Sequence, residues 1–210
     1  MKRNILSIFA SFTLLACKPP PGYNTDDGNN TTADGVPTSQ YDLGTLVITT
    51  SMGWFAVQLY SDLAPITTNN FMRYVEDGFY DGKDGKGSTI FHRSIDDFMI
   101  QGGGLTEDGT EKNTYPPIQN ESTANGLSNI VGTLSMARTN DPDSATAQFF
   151  INTVDNIYLD AGEIYEEGYA VFGEVIDNYE IVENMTEIEV DGNDRPITNI
   201  VIEDIYVVLP

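Results

Sequence analysis

The stretch FHRSIDDFMIQGGG, residues 91–104, sets one arginine and one glutamine among phenylalanine, methionine and isoleucine, and ends in three glycines. Strand-like runs cover 88–93 and 98–101, so a cation, Arg93, sits inside apolar β-forming sequence. An arginine beside aromatics is most often a surface ion pair or a stacking group, and Asp96 and Asp97 are its obvious local partners. The three glycines open no G-x-G-x-x-G or Walker pattern, so a phosphate-binding loop is set aside.

Working outward, similar short runs recur at 132–136, 148–152 and 170–175. Upstream, LGTLVITTSMGWFAVQLY (43–60) gives two β-rich runs joined at Ser51-Met52-Gly53, a hairpin signal. APITTNNFMRYVEDG (64–78) predicts a helix: Pro65 suits the first turn, Phe71 and Val75 share a face, and Gly78 ends it. A second helix is predicted over 179–186, and ITNIVIEDIYVVLP (197–210) closes the chain as a β-rich run. Many short strands with two helices predict a mainly β fold, a closed antiparallel barrel capped by helices.

Composition narrows the chemistry. The chain has 210 residues, 40% of them hydrophobic, which suits one domain with appendages. Acidic side chains number 32 against 10 basic, a net charge of −22. A field of that sign repels nucleic acid and anionic membrane surfaces, so nucleic acid is excluded as a general partner; the acidity reads first as a solubility device. One cysteine, Cys17, rules out an internal disulfide, and a single histidine, His92, leaves no Cys/His zinc site. No G-x-S-x-G frames a serine nucleophile. The loop DGKDGKG (81–87) lacks the alternating acidic ligands and terminal glutamate of an EF-hand, so no metal is expected there.

The first residues, MKRNILSIFASFTLLAC, carry Lys2 and Arg3 and then an apolar run too short to span a bilayer, the shape of a secretory signal. Leu14-Leu15-Ala16-Cys17 resembles the bacterial lipobox, whose cysteine is lipidated and becomes the mature N-terminus. That resemblance implies a lipoprotein signal over 1–16 and a lipid anchor on Cys17. Lys18 in place of an aspartate points by family habit to the outer membrane. Residues 18–40, rich in Pro, Gly, Asn, Asp and Thr, read as a flexible tether. The division is therefore signal 1–16, lipidated cysteine and linker 17–41, and a folded domain 42–210. The expected location is the bacterial cell envelope, with membrane contact through the N-terminal lipid only.

Three segments together resemble the cyclophilin family of peptidyl-prolyl isomerases: GFYDGKDGKGSTIFHRSIDDFMIQGGG (78–104), GTLSMARTNDPDSATAQFFIN (132–152) and YLDAGEIYEEGYAVFGEV (158–175). The resemblance runs from about 45 to 209 and implies an eight-stranded antiparallel barrel with a helix closing each end and the peptide groove on its outer surface. It implies an enzyme that rotates X-Pro bonds without cofactor or metal. Arg93 is then the donor to the substrate and Gln101 its companion, bonding the substrate carbonyl and helping to place Arg93. Phe98, Met99, Phe150 and Leu159 form the proline pocket. Ala137 and Arg138 line the peptide groove, Gln148 is a polar groove residue, and Tyr158 and Tyr169 complete the rim. Partners are proline-containing segments of client proteins, and the groove needs one chain only, so a monomer is expected.

The chain departs from the family in places. Asp96-Asp97 stand where many members have Pro-Gly, Tyr158 where some have the tryptophan associated with tight cyclosporin binding, and Tyr169 where many eukaryotic members have histidine. Two carboxylates beside Arg93 keep open a second reading, a proline-binding chaperone or scaffold with little turnover.

Overall fold

The computed structural model describes residues 45–208. The signal, the linker and Cys17 lie outside the described residues. Strands β1 (Thr45–Thr50) and β2 (Gly53–Leu59) form the expected hairpin, in register Leu46↔Val57 and Thr49↔Trp54. Alternation puts Leu46, Ile48, Phe55 and Val57 wholly out of solvent and leaves Trp54 exposed. The chain then enters helix α1 (Pro65–Glu76), whose first turn accepts a proline because that N–H has no intrahelical partner. Ala64 precedes it and has no side chain to cap it. The cap comes from elsewhere: the buried Glu121 carboxylate accepts the N–H groups of Ile66 (3.0 Å) and Thr67 (2.8 Å) and the Thr67 hydroxyl (2.6 Å). A negative group there also suits the helix dipole.

The remaining elements are β3 (Asp81–Gly82), β4 (Gly87–Ile95), β5 (Met99–Thr106), the one-turn α2 (Ser122–Asn125), β6 (Thr133–Met136), β7 (Phe149–Asn152), β8 (Val171–Asp177), α3 (Tyr179–Thr186) and β9 (Ile200–Val208). The two-residue β3 pairs with β4 alone. The other eight strands run β4-β5-β7-β6-β8-β2-β1-β9, and β9 returns to β4 through Ile90↔Val201 and Phe91↔Ile200. Every pairing is antiparallel. The result is the expected mainly β fold, a closed eight-stranded barrel with two longer helices; closure removes the free edges an open sheet would expose.

Side chains fill the interior. Phe71 of α1 meets Tyr80, Phe149 and Phe172 at ring-centroid distances of 5.1, 5.3 and 5.2 Å. From α3, Val182 and Met185 are fully buried in the same core. Helix α1 follows the end of β2, whereas a Cβ added at Gly53, the first residue of β2, would fall 2.8 Å from Ile181 of α3. The two helices therefore sit at opposite ends of that strand. With the interior packed, a peptide has only the outer surface to use.

Candidate active site

On the outside of the barrel a second, smaller apolar cluster forms from Met99, Phe150 and Leu159, all nearly buried, with Ile95, Phe98, Ala137 and Tyr169 packed against it. Strand alternation produces it. Ile100, Phe149 and Ile151 point inward to the main core, so their neighbours Met99 and Phe150 point out, side by side on paired strands.

Arg93 reaches this face by a different route. Phe91 is inward and fully buried, and simple alternation would turn Arg93 inward as well. The register slips between them: Phe91 faces Gly102, yet Arg93 faces Gln101, the very next residue of β5. Two steps on β4 match one on β5, a β-bulge centred on His92, and it turns Arg93 out beside Gln101. The two then share one face with Met99 and Phe150.

These side chains line a cavity of about 140 Å³, formed by Arg93, Gln101, Phe98, Met99, Phe150 and Leu159, with Ala137, Arg138 and Tyr169 as its further wall. Nine of the eleven groove residues that the family resemblance names therefore meet at one cavity. The other two stand just outside it. Gln148 accepts a hydrogen bond from Gln101 Nε2 at 3.0 Å, and Tyr158 stacks on Phe98 with centroids 6.2 Å apart and planes 23° apart. Gln101 is thus tied to Gln148, and among the described residues no hydrogen bond joins it to Arg93. The glycine run has its physical reason here: a Cβ at Gly104 would lie 2.5 Å from Gln148 Cγ, and Gly103 adopts φ +81°.

Asp96 and Asp97 do not hold Arg93. The Asp96 carboxylate accepts the N–H of Asp97 (2.9 Å), whose φ of 54° turns the loop toward solvent. The carboxylate facing Arg93 belongs to Asp194, with Oδ2 3.7 Å from Arg93 Nε. Asp194 is pinned to the same strand, its carbonyl accepting the Ser94 N–H at 2.8 Å. Arg93 and Asp194 side chains are 43% and 46% exposed, so their attraction is water-screened, and it engages Nε while the terminal amino groups make no ion pair among the described residues.

Arg138 is differently occupied. Its Nε donates to the Gly168 carbonyl (3.1 Å), one terminal nitrogen to Glu167 (2.5 Å) and the other to Thr139 (2.9 Å). Its guanidinium carbon lies 4.4 Å from the Tyr169 ring centroid and 5.2 Å from that of Tyr165. The side chain therefore braces the two walls of the cavity. Tyr169 in turn meets Phe150 edge-on at 5.7 Å. Burial raises the Tyr169 phenol, although Arg138 pulls the other way, and burial likewise raises Tyr158; both are neutral phenols at neutral pH.

Behind the cavity runs a buried polar network that single residues in the sequence do not announce. Asn156 donates to the Phe98 carbonyl (2.8 Å) and to Asn152 (2.9 Å). Asn152 donates to Thr133 Oγ1 (2.9 Å), and Asn129 donates to Asp160 (2.8 Å) and to the Tyr169 carbonyl (3.2 Å). The network fixes the backbone of Phe98, Leu159 and Tyr169 relative to one another. His92, at the bulge, has its Nδ1 buried without a hydrogen-bond partner among the described residues, and burial lowers its pKa. Among the described residues no group of three His, Cys, Asp or Glu side chains is placed to hold a metal ion.

A closed antiparallel barrel with a packed interior, carrying an outward arginine over an apolar pocket, defines a class of proteins whose site lies on the outer wall of the barrel. The profile of the cyclophilin type peptidyl-prolyl cis-trans isomerase/CLD family matches residues 45–207, and the chain belongs to that family. It is 45% identical over 155 residues to peptidyl-prolyl cis-trans isomerase A of Dickeya dadantii, covering 74% of this chain and 77% of that one. Identity to peptidyl-prolyl cis-trans isomerase B of Escherichia coli is 43% over 164 residues, covering 75% and 96% of the two chains. A crystal structure of a cyclophilin type isomerase from Cryptosporidium parvum, solved in the presence of the dipeptide Ala-Pro, superposes with a TM-score of 0.67 at 28% identity, covering 79% of this chain and 99% of that one. The chain is a peptidyl-prolyl cis-trans isomerase.

Proposed function

We propose that this enzyme is a lipid-anchored isomerase of the bacterial cell envelope, held by Cys17 at the outer membrane, that speeds rotation about X-Pro bonds in envelope or secreted proteins and so assists their folding. The bond rotates over a barrier of ~18–20 kcal/mol, and uncatalysed exchange takes roughly 10–100 s. At the top of the barrier the amide is twisted, conjugation is lost, and the proline nitrogen gains a lone pair absent from either planar isomer. A donor aimed at that nitrogen binds the transition state better than the ground states.

In this reading the Arg93 terminal amino groups supply the donor, and Met99, Phe150, Leu159 and Phe98 hold the ring. Gln101 bonds the acyl carbonyl, and the backbone at Arg138, next to Ala137, pairs with the peptide. Reaching roughly 10³ turnovers per second means lowering the barrier by about 6–7 kcal/mol. One charge-assisted bond contributes ~1.5–3 kcal/mol, so ring holding, fixing of the acyl side and desolvation supply the remainder. The observation that carries the reading is the bulge that turns Arg93 out over the apolar cavity. The scaffold reading rested on Asp96 and Asp97 occupying Arg93, and neither is ion-paired to it.

A protease-coupled isomerisation assay on a short X-Pro peptide tests the mechanism, with Arg93→Ala as control; wild-type turnover no better than the variant's leaves only proline binding. Unchanged activity in a chelator is expected. Mass spectrometry of the mature N-terminus tests the anchor: an acylated Cys17 is expected, and an unmodified start at another residue refutes it.

A further inference from the structure

We infer that the groove selects X-Pro segments flanked by lysine or arginine and discriminates against acidic flanks. The inference rests on the isomerase reading and names its substrate class. Two features of the groove point to it together. The first is that its two cations are already largely committed. Arg138 places three of its five N–H donors, one on each nitrogen, on the carbonyls of Gly168, Glu167 and Thr139 and has aromatic rings within 4.4 and 5.2 Å, which leaves at most two N–H groups for a peptide carboxylate. Arg93 has a carboxylate, Asp194, 3.7 Å from its Nε, and is itself one of the residues lining the cavity. An acidic residue beside proline therefore meets cations whose donors are mostly engaged by the protein's own groups.

The second feature is the rim. The turn between β4 and β5, next to Phe98, presents exposed Asp96 and Asp97, and the loop between Leu159 and Tyr169 presents exposed Glu163 and Glu166. Among the described residues none of these four carboxylates is ion-paired. They flank a partly apolar cavity whose Arg93 is balanced by Asp194, so that four rim carboxylates face the single uncompensated cation Arg138, and a cleft edged by an excess of one sign concentrates ligands of the other. In water at low salt a peptide cation gains about twofold in association for each carboxylate ~10 Å away and loses as much to Arg138, so the excess of three gives on the order of tenfold. Salt removes the effect, since the Debye length falls from ~30 Å at 0.01 M to ~3 Å at 1 M.

The test uses the full chain and three peptides identical except for Lys, Ala or Glu on both sides of one X-Pro pair. Isomerisation is followed by NMR exchange, which avoids any coupling protease, and affinity by NMR titration. Expected is a kcat/KM at least about tenfold higher for the Lys than for the Glu peptide at ~10 mM salt, shrinking to within about twofold at ~1 M. The variant Asp96→Asn/Asp97→Asn/Glu163→Gln/Glu166→Gln is expected to reduce that ratio severalfold and to leave the Ala peptide unchanged. A ratio of one or below at low salt overturns the inference, and so does a ratio the variant leaves intact. The Ala peptide separates the two failures: if it is not turned over, the isomerase reading fails, and the Lys-to-Glu ratio of dissociation constants then decides the inference by the same criteria.

Discussion

Replacing Arg93 separates catalysis from architecture, because the side chain is 43% exposed and its ion pair reaches an equally exposed Asp194 at 3.7 Å. A surface pair of this kind contributes ~0–1 kcal/mol to stability. In a domain of this size that moves the melting temperature by no more than about 2–4 °C. In the proposed mechanism the same side chain supplies one charge-assisted bond, ~1.5–3 kcal/mol, which is about 10- to 150-fold in rate. Arg93→Ala is therefore expected to lose at least about tenfold in kcat/KM. The loss falls on kcat with KM little changed, since the bond forms only when the amide is twisted. Arg93→Lys keeps the charge without the planar fork and is expected to fall between. Asp194→Asn removes a partner of the Nε edge alone, and the expected change is less than about fivefold, in line with a screened pair. The measurements are steady-state isomerisation with two substrate concentrations bracketing KM, and thermal unfolding of each variant. A loss confined to KM assigns Arg93 to ground-state binding and refutes the mechanism. A collapse in melting temperature equal to that of a core truncation refutes the claim that Arg93 stands outside the fold's support.

Other expectations follow from single contacts. Glu121→Ala leaves the buried N–H groups of Ile66 and Thr67 without acceptors, so calorimetry is expected to find a destabilisation of ~2–4 kcal/mol. Gly104→Ala drives a methyl into Gln148, displaces it from Gln101, and is expected to lower kcat/KM with the barrel still folded by circular dichroism. The single imidazole, His92, is held neutral by burial, so its NMR titration midpoint is expected below the ordinary 6.5. A depressed folded pKa means the unfolded chain binds the proton first; stability is complete above about 6.5 and declines as pH falls through the folded value. A flat melting temperature from pH 7 to 5 contradicts this. With Tyr158 stacked on Phe98 where tight binders carry tryptophan, cyclosporin is expected to inhibit weakly, and nanomolar inhibition refutes that reading.

The family and the strand list were legible because both depend on local pattern. Hydrophobic alternation marked β1 and β2, Pro65 and the Phe71–Val75 spacing marked α1, and the second helix falls at Tyr179–Thr186 as its sequence predicted. The three segments 78–104, 132–152 and 158–175 named the groove residues by resemblance, and nine of the eleven converge on one cavity. The β3 stub and the single turn of α2 were not foreseen, since two- and four-residue elements leave no periodicity to detect.

What the sequence determined alone is which residue types occur at which spacing: the strands, the main helices, the acidic charge and the groove set. Three features needed the tertiary structure. The bulge at His92 decides that Arg93 faces out although Phe91 faces in; both strands lie within the 91–104 stretch, but the slip between them is a matter of strand pairing that alternation along one strand does not encode. Asp194, about a hundred residues downstream, meets Arg93 only because β9 closes the barrel against β4. Arg138 becomes a brace only once the loop carrying Glu167 and Gly168 folds across it. The last two are contacts between segments well separated in the chain, and their geometry is set by how the fold brings those segments together.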